Sequence, residues 1–203
     1  QRLVTAFVNK ALAGNERVVY LQFARHLPLL EDRNNLTIYR LKVEKGFESF
    51  SAQVHSIITR EGKNVCYVFD SLSDLLHVWA TDLMIGNFFK VTCPYLFELN
   101  TIAYFAVLRN SSSYHTMASI RETTQLLLDV YRVDGAMYFH PLMVWDRYSP
   151  QMFLPHEMAG PVWTPVFGSG DAAAVSAVAA RKPLTVRARS TAPWDSVYRR
   201  LML

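Results

Sequence analysis

The sequence predicts an α/β fold: a mostly parallel sheet with helices on both faces and a late antiparallel hairpin at one edge. Three observations carry this expectation. Near-continuous apolar runs at 17–23, 65–69 and 101–108 have the character of strands buried on both faces. Segments with helical apolar spacing alternate with them, at 2–13, 47–60 and 73–98. Asp134-Gly135 then separates two further strand-like runs, 125–133 and 136–144, and is a strong hairpin turn.

Taken in order, the first helix is set by Leu3, Val4, Phe7, Val8 and Leu12, and Gly14-Asn15 stops it. It carries no start signal, and the chain does not open on Met, so this helix is expected to begin before Gln1. Residues 17–23 (RVVYLQF) and 36–41 (LTIYRL) are rich in β-formers. Residues 47–60 form an amphipathic helix ended by Gly62, and 65–69 (VCYVF) a strand ending in Asp70-Ser71. The stretch 73–98 is helical with a break near Thr81 and Asp82. Residues 101–108 (TIAYFAVL) form a strand that runs into Arg109-Asn110, and the serines 111–113 lead to a helix at 114–123. After the hairpin a last short strand is expected at 151–154. From Gly160 onward Pro161, Pro165, Gly168 and Gly170 mark a linker. Residues 171–181 are Ala-rich and suit a helix. The division expected is 1–158 for the α/β domain and 159–203 for a linker and basic tail.

With 203 residues, 51% of them hydrophobic, the chain can bury one sizeable core. No apolar run reaches the ~18 residues of a membrane span. The N-terminus lacks the basic, apolar and small-residue blocks of a secretory signal, so a cytoplasmic location is expected. The net charge of +4 comes from the tail. Arg181, Lys182, Arg187, Arg189, Arg199 and Arg200 stand there against Asp171 and Asp195, leaving 15 basic and 15 acidic residues before it. A neutral body argues against a nucleic-acid partner. Cys66 and Cys93 are expected as reduced thiols, and two cysteines without paired histidines do not make a zinc site. His55, His77, His115, His140 and His156 have no second ligand three or four residues away. Ser111–Ser113 lack the glycine context of a hydrolase nucleophile. Trp79, Phe88, Phe89, Tyr95 and Phe97 are expected to pack a core rather than stack on bases.

The segment with most chemistry is Val65-Cys-Tyr-Val-Phe-Asp70-Ser71. An apolar strand ending in Asp, then Ser, is the Walker B pattern, in which the Asp holds Mg²⁺ through water beside nucleotide phosphates. Its place at the carboxyl end of a strand is where open α/β sheets bind ligands. Many strands also end in Asp to cap the next helix, so the motif alone does not decide.

The order of elements through this motif to the late hairpin resembles the RecA-like ATPases, and KaiC-like domains in particular. The closing segment 141–153 (PLMVWDRYSPQMF) is similar to the strand–loop–strand that ends KaiC-like domains. The resemblance implies an ATP–Mg²⁺ site with Asp70 on the metal through water and Ser71 supporting it. It implies Arg109 or Asn110, with Ser111, sensing the terminal phosphate, and Arg147 reaching a nucleotide in a neighbouring subunit of a homo-oligomer. More narrowly, VFDSLSDLLHVWATDLMIGNFF and TTQLLLDVYR resemble RecA-like domains joined to phosphoenolpyruvate synthase/pyruvate phosphate dikinase-type modules in bacterial proteins. The phosphotransfer module would then lie beyond residue 203.

Two departures limit what the resemblance implies. The loop G-x-x-x-x-G-K-[ST] is absent from these residues. The family places it just before the helix that opens this chain. An acidic residue that the family carries at the end of the second strand is replaced by the stretch Phe23-Ala24-Arg25-His26, where only His26 can accept a proton. Nucleotide binding with weak or no hydrolysis is the expectation. The alternative is a non-catalytic oligomerisation or interaction module on a degenerate RecA-like scaffold.

Overall fold

In a computed structural model the described residues are 2–181, except Ala24, Arg25, Leu27, Pro28, His77, Ala80, Arg109, Asn110, Arg147, Ser149, Gly160 and Pro161. The chain divides into two compact units, Gln1–Thr123 and Thr124–Leu203.

The first unit runs α1 (Arg2–Ala13), β1 (Arg17–Gln22), β2 (Leu36–Arg40), α2 (Phe47–Glu61), β3 (Val65–Asp70), α3 (Leu72–Leu75), α4 (Leu83–Glu98), β4 (Ile102–Phe105) and α5 (Tyr114–Thr123). Its four strands form one parallel sheet in the order β2-β1-β3-β4. β3 is buried at every position, which is why its sequence shows no polar alternation before Asp70. The crossovers from β2 through α2 to β3, and from β3 through α4 to β4, step the same way along the sheet. Right-handed crossovers then put α2 and α4 on one face and leave the other to α1.

The core follows that division. On the α2/α4 face, Val19, Leu21, Tyr67 and Phe69 of the sheet pack with Phe50, Val54 and Ile58 of α2 and Ile85, Phe88 and Phe89 of α4. The buried α2 residues 50, 54, 57 and 58 recur at helical spacing, so a single stripe is buried. On the opposite face Val4, Val8 and Ala11 of α1 cover Val18, Tyr20, Cys66 and Val68. Of the expected aromatic cluster, Trp79, Phe88 and Phe89 are buried, whereas Phe97 is 62% exposed. α4 and α5 approach closely at Gly86, where an added Cβ would stand 3.2 Å from Ser119 Cβ. The thiols of Cys66 and Cys93 are free, as expected.

The second unit holds β5 (Leu126–Val133), β6 (Ala136–Val144), β7 (His156–Ala159), β8 (Val162–Pro165) and α6 (Ser169–Arg181). These strands form a separate antiparallel sheet in the order β5-β6-β7-β8. The hairpin turns at Asp134 and Gly135, both at positive φ, as expected. It is not an edge of the parallel sheet, and this corrects the single mixed sheet expected from sequence. Its outer partner is β7, which pairs with β6 at Tyr138 and Phe139. The turn chemistry fixed which two strands pair with each other and carried no information about a third. The strand expected at 151–154 is also corrected. Residues 150–153 form turns, and the strand starts at His156, after Pro155. The compositional boundary at 158/159 falls within β7, and β8 follows where a linker was expected.

Candidate functional site

The chain leaves β1 toward β2 on one side and leaves β3 toward β4 on the other, although β1 and β3 are neighbours. Connections that diverge in this way leave a crevice between the carboxyl ends of the two strands, the switch point at which open α/β sheets bind ligands. In register, the residues facing each other at that end are Gln22 and Asp70. Strand alternation puts both on the α1 side of the sheet, with Tyr20 and Val68.

Asp70 is 3% exposed. Its Oδ2 accepts a hydrogen bond from the Tyr20 hydroxyl. The same oxygen lies 3.0 Å from His26 Nε2, an ion pair when the imidazole is protonated. A buried carboxylate needs such partners, because desolvation without them is costly. Burial drives the Tyr20 phenol well above its ordinary range, and the hydrogen bond and charge of Asp70 add to the effect. Tyr104, across the same face, is raised by burial and then by the Asp70 charge. Tyr20 therefore stays protonated at neutral pH and acts as a donor to Asp70. Gln22 is 8% exposed, and its Oε1 is buried without a hydrogen-bond partner among the described residues.

Ser71 follows Asp70, but its hydroxyl donates to Asp74 Oδ2 at 2.8 Å, within the first turn of α3. Arg109, Asn110 and Arg147 lie outside the described residues, as do Ala24 and Arg25. The residues on either side of 109–110 are tied to α3. Ser73 Oγ accepts the Leu108 amide at 2.6 Å and lies 3.2 Å from Ser111 Oγ. The strand-end motif pointed to Asp70; the structure places His26, noted in the sequence as a proton acceptor, against it and adds Tyr20 and Gln22. Gln22 was visible as the one polar side chain in 18–23, at an even position shared with Tyr20. Nothing local paired it with a residue far along the chain.

Other polar groups are committed elsewhere. Asp82 Oδ2 accepts the Ser113 amide at 2.6 Å and joins the start of α4 to that of α5. Burial pushes its pKa up, but hydrogen bonds from Ser113 and Thr116 outweigh this and hold it below the ordinary carboxylate value. The Cys66 thiol donates to Glu16 at 2.8 Å near the amino end of the sheet, and burial with that bond pushes it up to about 12. An open groove, about 560 Å³, lies in the second unit between His140 and α6. Among the described residues that line it, His140 is the one titratable side chain, with Nε2 2.9 Å from the Phe153 carbonyl. Among the described residues no three His, Cys, Asp or Glu side chains gather as metal ligands, and no helix is long and apolar enough to cross a membrane. No family model and no curated protein matches the chain.

Proposed function

We propose that the first unit is a RecA-like nucleotide-binding domain that takes ATP with Mg²⁺ at the crevice between β1 and β3. The observation that carries this reading is Asp70, a buried carboxylate at the carboxyl end of a central parallel strand and at the switch point of the sheet. The connection 14–16 is short enough to turn α1 back along β1, so the amino end of α1 faces the same edge of the sheet. Mg²⁺ prefers oxygen ligands, keeps several waters and needs only one or two carboxylates besides the phosphates. Asp70 and the orphan Gln22 Oε1 supply two oxygen acceptors that suit such a hydrated ion.

The 203 residues include no G-x-x-x-x-G-K-[ST] cradle, and 23–30 include no carboxylate to orient an attacking water. Binding with weak or no hydrolysis is therefore the activity proposed for this chain. Association with a phosphoenolpyruvate synthase-type phosphotransfer module rests on the two segment resemblances alone. Arg109, Asn110 and Arg147 remain the proposed phosphate contacts, the last of them across a subunit boundary.

A second reading is a non-catalytic scaffold. It is favoured by the same carboxylate being 3% exposed with one oxygen already held by Tyr20 and His26. Fluorescent ATP-analogue titrations with and without Mg²⁺ separate the two readings. For a nucleotide site, Asp70→Asn abolishes the gain in affinity that Mg²⁺ gives. An affinity indifferent to Mg²⁺ in the unmodified chain, with Asp70→Asn lowering only the melting temperature, sinks the ATP–Mg²⁺ reading and leaves the scaffold.

A further inference from the structure

We infer that Gln22 is the second contact of the Asp70 crevice, accepting a hydrogen bond from a water of a hydrated divalent cation held beside Asp70. The inference rests on the nucleotide–Mg²⁺ reading of the crevice and adds to it a positioning residue outside the strand-end motif.

Gln22 is the register partner of Asp70 on the adjacent strand, and both belong to the sheet face that carries Tyr20. Directly opposed residues on one sheet face are the closest side-chain neighbours across two strands. The amide is 8% exposed, and its oxygen has no donor among the described residues. Buried acceptors are almost always paired, and an exception at the carboxyl edge of the sheet, opposite a carboxylate, points to a donor that arrives with a ligand. Tyr67 and Trp79 also carry buried polar atoms without partners, but both sit in the apolar cluster on the α2/α4 face. Of these three, Gln22 is the one whose register partner on the neighbouring strand is a carboxylate. Mg²⁺ gives up its waters reluctantly, and those waters are strong donors. A neutral amide oxygen accepts from them without adding a second buried charge next to Asp70.

Mn²⁺ is the probe, its free concentration read by electron paramagnetic resonance in the full chain with ATP present. Gln22→Met keeps the length of the side chain and removes the acceptor. The expected result is a rise of about tenfold in the Mn²⁺ dissociation constant, the scale found for groups that orient a metal through its ligands. Without cation, Gln22→Met is expected to melt no lower than the unmodified chain, because an unpaired buried oxygen has been removed. Asp70→Asn should weaken Mn²⁺ at least as much. If Asp70→Asn weakens binding and Gln22→Met leaves it within twofold, the role of Gln22 is overturned and the crevice reading stands. If neither variant changes it, both fall. A lower melting temperature of Gln22→Met without cation also overturns the inference, since it means that the amide is paired within the protein.

Discussion

The parallel sheet of residues 1–123 and the antiparallel sheet of residues 124–203 spend similar residues in opposite ways. In β3 all six positions are buried, and helices lie on both faces of its sheet. In β5 burial alternates, and Leu126, Leu128 and Val130 are 53%, 37% and 36% exposed. The comparison teaches that apolar content does not measure what a strand contributes. A Leu in the first sheet loses all of its water, whereas one on the open side of the second keeps much of it. The proposed site follows the same line: among the described residues, the closed sheet places a buried carboxylate, Asp70, at its switch point.

The largest expected effect that sharpens this comparison is in the core. Phe50→Ala, fully buried and in contact with Phe23, Trp79 and Phe88, should destabilise the first unit by about 3–5 kcal/mol in urea unfolding. Leu128→Ala should change stability by less than about 1 kcal/mol. Equal losses would break the comparison. Next are the glycines. Gly86→Leu drives a side chain into Ser119 and should lose about 1–3 kcal/mol through overpacking. Gly135 has open space but a φ of +87°, so Gly135→Ala should lose only about 1 kcal/mol, through backbone strain. Of similar size to the last, Tyr20→Phe takes one donor from buried Asp70 and should lose about 1 kcal/mol while His26 remains. Tyr148, 89% exposed, should tolerate the same change with no measurable effect.

A further effect is seen only at alkaline pH. The Cys66 thiol rises from its ordinary 9.0 to about 12, first through burial and then through its bond to Glu16. The folded chain therefore holds this proton after the unfolded chain has lost it. The associated stability is complete below pH 9 and is lost as pH rises toward 12. Urea midpoints measured across that window should fall more steeply for the unmodified chain than for Cys66→Ala. Parallel curves would show that the thiol is not the group being titrated.

Much of this architecture was legible in the sequence because its signals are local. The apolar run before Asp70, the stripe of α2, the break near Thr81 and the Asp134-Gly135 turn each appear where expected. The second sheet was not legible. β7 and β8 have four residues each, and Pro155 and Pro165 at their ends dilute any strand pattern. Their pairing depends on contacts that no short window contains. The site divides in the same way. Asp70 was legible because a strand-end carboxylate is a local pattern. Tyr20 was not, because it meets Asp70 across 50 residues of chain, through the register of two parallel strands. Gln22 is hidden for the same reason.

The most direct test of the account is hydrogen exchange of the full chain with and without Mg²⁺–ATP. New protection is expected at the carboxyl ends of β1 and β3, residues 20–26 and 68–74, and is expected to disappear in Asp70→Asn. Protection confined to the second unit, or none at saturating nucleotide, would contradict it.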